Sequence, residues 1–330
     1  NASWYLELGF AEGVIIGQTG LFAWDSKQIG VSNPPEGLKV DFTSPAEATR
    51  DIKKVATYFG ADMVGVCELD PRWVYSQTFN MYTRESKPLE IPEECKYAIV
   101  MAHEMDYDLE KYAPTQIGNA ATGMGYTKMA FTAGLLAQFI RGLGYKAIPC
   151  GNDTALSIPM AMQAGLGELA RNGLLITPEY GPRVRLSKVL TNLELVPDEP
   201  IEFGVTDFCL KCLKCADACP GKAIIYGDRI TEPHNISNAT GELKWPIDAE
   251  KCLAFWGANE ATCGACVRVC PFNKHMNWFH RTSRWFVDHA RWGDSLYRRM
   301  DDLLGYGKQA DAEHFWEGWQ PRQALRVTQK

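Results

Sequence analysis

Eight of the 11 cysteines of this 330-residue chain stand in two short runs. The first is Cys209-x2-Cys212-x2-Cys215-x3-Cys219, followed by Pro220; the second is Cys252, a ten-residue gap, then Cys263-x2-Cys266-x3-Cys270, followed by Pro271. A run of three closely spaced thiolates binds one 4Fe–4S cluster, and the fourth, after three further residues, reaches across to a second. By that rule Cys209, Cys212, Cys215 and Cys270 hold one cluster, and Cys252, Cys263, Cys266 and Cys219 hold the other. Disulfide frameworks belong to short secreted chains with small cores, and zinc favours paired C-x2-C knuckles. A long chain with 10 Trp and two x3-Cys-Pro runs fits neither. Of the three cysteines left over, Cys67 and Cys150 close apolar, strand-like runs and read as small buried hydrophobes; Cys95 is the third.

Two clusters deliver electrons one at a time, so the rest of the chain is expected to bind what receives them. No G-x-G-x-x-G follows a strand with an acid some twenty residues on, which gives no support to a nicotinamide or flavin site. Gly165-Leu166-Gly167 has the wrong spacing for one, although such a loop can bring backbone N–H groups to an anionic ligand.

The elements that must position this chemistry alternate. Ser44-Pro45-Ala46-Glu47 is a capping box with proline at the first helical position, opening a helix that ends at Gly60. Residues 61–67 and 97–102 read as buried strands, and 126–141 as a helix with Ala130, Gly134, Ala137 and Ile140 at helical spacing. A short strand (145–149), a helix (154–164) and a strand (173–177) follow. The pattern predicts an α/β (α+β) layer domain up to about residue 200, with 197–204 as the linker into the cluster domain. After Asn273 the chain is rich in tryptophan and is expected to pack its aromatics onto the rest of the protein.

The segments Glu104-Met105-Asp106-Tyr107, Gly165-Leu166-Gly167-Glu168-Leu169-Ala170-Arg171-Asn172-Gly173-Leu174 and Gly181-Pro182-Arg183-Val184-Arg185, with the two cysteine runs, resemble the corrinoid-dependent reductive dehalogenases. The resemblance runs from about Thr43 to the C-terminus. It implies a base-off corrinoid in a nitroreductase-like cobalamin-binding domain (43–200), followed by a ferredoxin-like domain with two 4Fe–4S clusters (201–277) and a C-terminal tail (278–330). The only near-match to Asp-x-His-x-x-Gly, Asp288-His289 before Gly293, has the wrong spacing, which fits a cobalt without a protein ligand. The resemblance further implies Tyr126 as proton donor, supported by Arg185 and Asn152. It assigns corrinoid contacts to Thr122, Met160, Gly165, Leu166, Gly167, Arg171, Asn172, Gly173 and Leu174, and substrate-pocket walls to Trp256 and Trp24. The chemistry is coherent: a free phenol, pKa near ~10, is a poor acid at neutral pH, and a guanidinium beside it stabilises the phenolate left after transfer.

The implied substrate is a small organohalide. The implied partners are a membrane anchor protein and an upstream electron donor, at the outer face of the cytoplasmic membrane. Two other readings compete: an epoxyqueuosine reductase-like tRNA-modifying enzyme, and an electron-relay iron–sulfur protein. A net charge of −6 argues against a nucleic-acid partner. The chain opens at Asn1 without a leader, so it reads as a processed protein or a fragment, with residues 1–42 part of a longer N-terminal region.

Overall fold

The structure is a computed structural model and describes residues 37, 39–80, 84–152, 154–275, 277–290 and 293–318. Trp24 lies outside them.

Helix α1 (Pro45–Tyr58) starts as expected: Ser44 Oγ accepts from the Glu47 N–H, and proline occupies the first turn. Strands β1 (Met63–Glu68), β2 (Gln77–Asn80), β3 (Glu85–Pro88) and β4 (Tyr97–Glu104) follow, then the single turn α2 (Tyr107–Glu110) and the long α3 (Gln116–Gly142). Next come β5 (Ala147–Cys150), α4 (Ser157–Gln163), the two-residue strands β6 (Glu168–Leu169) and β7 (Leu175–Ile176), and β8 (Val184–Thr191). The cysteine region contains α5 (Val205–Cys212), α6 (Lys214–Asp217), α7 (Ala249–Asn259) and α8 (Ala265–Arg268). Helices α9 (Trp278–His289), α10 (Asp294–Leu303) and α11 (Phe315–Gly318) end the described chain. None of the described helices is long and apolar enough to cross a membrane.

The main sheet has the order β1-β4-β8-β5, and every pairing in it is antiparallel. The fold is therefore the α+β form of the expected class. Strand alternation divides the core in two. Ile99 and Met101 of β4 and Val189 of β8 face α1 and α3, while Ala98, Val100, Leu186 and Leu190 face α4 and its flanking loops.

Three expectations need correction. The helix read as 126–141 begins at Gln116, so Tyr126 lies in its interior; Gly118, Gly123 and Gly125 depress local propensity, and packing overrides them. The strand expected at 173–177 shrinks to β7, half of a small hairpin with β6. The described C-terminal aromatics divide: Trp278, Trp285 and Trp316 are exposed, while Phe315 is buried against Tyr112 and Tyr297 packs on the core, and α9 and α10 turn His280, Val287, Asp294 and Asp301 to the interior. Buried Lys214 and Lys274 both pair with Asp301, at 2.5 and 2.8 Å, which fastens α10 to the cysteine region.

The stretch 197–204 carries no regular structure, but it is anchored. Asp198 accepts from Lys53 Nζ at 2.5 Å and from the Val66 N–H at 2.7 Å. Glu168 accepts from the Phe203 N–H at 2.5 Å.

Candidate functional site

Tyr126, Asn152 and Arg185 come from a helix, a loop and a strand, and they meet. Asn152 Nδ2 donates to the Tyr126 hydroxyl at 3.2 Å. The Arg185 guanidinium lies over the Tyr126 ring, 4.9 Å from its centre. The helix can approach the strand here because residue 125 is glycine. A Cβ at that position would stand 2.9 Å from Arg185 Cγ and 3.1 Å from Met105 Cγ, closer than packed carbons tolerate.

Beside Arg185 lies a residue that motif reasoning missed. Glu110, at the end of α2, is 1% exposed, and among the described residues neither carboxylate oxygen has a hydrogen-bond partner. Burial pushes its carboxyl up to about 7, although Arg185 and Arg183 pull the other way. Arg185 Nε is likewise buried without a partner. Such unsatisfied groups are costly in an apolar interior and mark a place that something polar completes. Only a buried acid within an alternating Glu/Asp-rich turn signals Glu110 in the sequence, and that is weak.

Arg183, two residues before Arg185 and just ahead of β8, serves a different end. It is 1% exposed, pairs with Glu104, and donates to the Met105 carbonyl at 2.8 Å and to Asn273 Oδ1 at 2.9 Å. It thereby ties β4 to the segment following Cys270.

The cysteines gather in two sets. Cys209, Cys212, Cys215 and Cys270 line one small cavity with Ala170, Phe208 and Phe272. In the second set Cys266 feels the charges of Cys263, Cys252 and Cys219. Cys215 also packs with Cys219, Cys252 and Cys266, so the two sets adjoin. Burial pushes the thiols of Cys209 and Cys266 up to about 12, and neighbouring cysteines push further. Burial likewise drives Cys215 and Cys270 upward. Four thiolates cannot stand together in such a place without a compensating cation, so the donor set fits iron, which ionises a coordinated thiol outright. Cys67, Cys95 and Cys150 are buried in the second core cluster, as small hydrophobes.

The residues assigned to a corrinoid divide. Arg171 is 1% exposed and fully engaged: Nε donates to the Cys209 carbonyl at 3.0 Å, Nη1 to those of Ile225 and Gly227 at 2.9 and 2.8 Å, and the guanidinium stacks on Trp245. It clamps the first cysteine set to the 225–245 stretch. Asn172 lines the same cavity and accepts from the Leu174 N–H at 3.2 Å. Gly167 is glycine because a Cβ would meet the Ile176 carbonyl at 2.0 Å; at Gly165, with φ +70°, it would meet Glu199 O at 2.6 Å. Thr122, Met160 and Leu166 are buried, whereas Gly165, Gly173 and Leu174 remain half-open. Trp256 stands on α7, one helical turn from Cys252.

Residues 208–273 match the family of 4Fe–4S double cluster binding domains. A tetrachloroethene reductive dehalogenase of Sulfurospirillum multivorans is 41% identical over 303 residues, 84% of this chain and 60% of its own length. A solved reductive dehalogenase, described as acting by B12-dependent dehalogenation, superimposes with a TM-score of 0.74 at 30% identity, over 84% of this chain and 39% of its own. An epoxyqueuosine reductase of Lactococcus garvieae is 32% identical over 125 residues, only 37% of this chain. The chain thus spans about three-fifths of the length of the first of these relatives.

Proposed function

This chain belongs to the reductive dehalogenases, and from that premise we propose that it replaces a carbon–halogen bond of a small organohalide with carbon–hydrogen, or eliminates two halogens. When bound, a corrinoid supplies the reducible cobalt that breaks the carbon–halogen bond, and two 4Fe–4S clusters supply it with electrons. The two cysteine sets hold the clusters. The half-open positions Gly165, Gly173 and Leu174 face the corrinoid, and the buried residues around them serve as scaffold.

The observation that carries the reading is the meeting of Tyr126, Asn152 and Arg185 in one hydrogen-bonded, cation-flanked group. Tyr126 holds the proton that the carbon needs once halide leaves. Arg185, always charged, stabilises the phenolate that remains, in a place where a lysine could lose its proton. Asn152 donates to the same oxygen. The guanidinium stays on the ring while charge appears, so little reorganisation accompanies the transfer.

Family resemblance supports the rest of the reading: an organohalide substrate, a membrane anchor partner, an upstream donor, and a station on the outer face of the cytoplasmic membrane. The relatives' tetrachloroethene is the first substrate to try.

The test is halide release by the full-length protein, purified without oxygen, loaded with corrinoid and iron–sulfur clusters and driven by reduced viologen. Chlorinated ethenes, alkanes and phenols form the panel. Tyr126→Phe is expected to lose at least about 100-fold in turnover, the lower range for positioned acid catalysis. Full release in that variant would leave Tyr126 a packing residue. No release from the loaded wild type across the panel would overturn the reading.

A further inference from the structure

Lys188 occupies the middle of β8 and is 0% exposed, between Leu186 and Leu190 on a face that otherwise packs apolar side chains. An ammonium there is expensive unless its donors are satisfied, and packing alone would be served by leucine or methionine. Its three N–H groups have three acceptors converging on them: the Gly151 carbonyl at 2.6 Å, the Ala155 carbonyl at 3.1 Å and Ser157 Oγ at 2.7 Å. All three belong to the loop that carries Asn152, or to the first residue of α4 that ends it. The Ser157 hydroxyl, accepting from the ammonium, donates to Asn152 Oδ1 at 3.4 Å. The Asn152 amide thus has its oxygen turned to Ser157 and its NH2 turned to the Tyr126 hydroxyl, 3.2 Å away.

We infer that Lys188 and Ser157 are positioning residues for the proton transfer, which hold the Asn152 amide donor-first against Tyr126 and set a second buried cation behind it. The chain of bonds runs Lys188, Ser157, Asn152, Tyr126, and each member polarises the next. Residues 185 and 188 are three apart on one strand, so their side chains leave opposite faces of the sheet. Arg185 reaches the phenol directly from one side, and Lys188 reaches it through two side chains from the other. A single strand therefore supplies both cations that face the negative charge formed on Tyr126. The inference rests on the dehalogenase reading proposed above.

It is tested in the loaded full-length enzyme with Lys188→Met, Lys188→Arg and Ser157→Ala, each also combined with Asn152→Ala. Lys188→Met and Ser157→Ala are expected to lower kcat roughly tenfold to a hundredfold, the scale of one hydrogen bond to a charged group, with KM nearly unchanged. Lys188→Arg should recover part of the loss. In the Asn152→Ala background neither change should lower kcat further, because the amide they orient is gone. A second readout needs no turnover: fluorotyrosine placed at Tyr126 reports the hydrogen bonding of its hydroxyl by fluorine NMR. Its signal should move in Ser157→Ala and in Asn152→Ala to similar positions. Ser157→Ala decides the matter if Lys188→Met fails to fold, since it breaks the relay and leaves the ammonium in place. Full activity with an unmoved fluorine signal in Ser157→Ala would overturn the inference, as would losses that simply multiply with that of Asn152→Ala. Absence of halide release from the wild type would instead strike the dehalogenase reading, and the fluorine signal would still judge the relay.

Discussion

Around Tyr126 the chain is organised by long elements: the 27-residue α3 lies on the eight-residue strands β4 and β8. Around the cysteines the helices are 8, 4, 11 and 4 residues long. The first region buries continuous apolar faces on both sides of a sheet, and burial of that kind stabilises a fold by itself. The second packs thiols against one another, and its short helices could not persist without a further constraint. Iron is that constraint. The Tyr126 group and the cysteine region thus depend on different sources of rigidity, joined at the clamps Arg171 and Arg183.

The sharpest way to break this contrast is at a ligand. Cys215→Ser is expected to cost half of the bound iron and to expose the 205–275 stretch to limited proteolysis, while the sheet region stays resistant. Equal digestion of both regions would show that the sheet also depends on the cluster. A smaller effect is expected from Gly125→Ala, which drives a methyl against Arg185 Cγ. It should lower turnover about tenfold, the scale of one displaced charged contact, with iron content unchanged. Undiminished turnover would mean that Arg185 can shift and still serve.

The smallest effect concerns the sheet alone. His103, opposite Arg185 in the β4–β8 pairing, is buried beside Ser187 at 2.9 Å, and burial pushes it down to about 4. Its folded form thus binds fewer protons than the unfolded chain between roughly pH 4 and 6.5, so stability contributed there is lost as pH falls through that window. His103→Gln should flatten the pH dependence of urea unfolding by up to about 1.4 kcal/mol per pH unit. An unchanged slope would place the acid sensitivity elsewhere.

Much of the cysteine chemistry was legible in sequence, because ligand spacing along a short loop is a local property. The crossed assignment between runs comes from the ferredoxin spacing rule, and Cys209, Cys212, Cys215 and Cys270 share one cavity. Tyr126, Asn152 and Arg185 were legible only through resemblance: nothing in a glycine-rich helix, a Gly-Asn turn or an alternating strand announces that the three meet. The glycine-rich stretch has a packing reason that spacing does not show. Gly165 and Gly167 look like an open ligand loop, yet the space beside them is filled by the Glu199 and Ile176 carbonyls.

The sequence by itself determined the double-cluster cysteine runs, the α+β class and the entry into α1, since each is set by residue type and near-neighbour spacing. The tertiary structure alone decided that Glu110 is buried near Arg185 without a hydrogen-bond partner among the described residues, that Arg171 clamps the first cysteine set, and that Lys188 reaches Asn152 through Ser157. Those facts depend on which faces of separate elements are pressed together, and burial then turns an ordinary charged side chain into a committed one. No local pattern encodes that pressing; it emerges when the sheet closes.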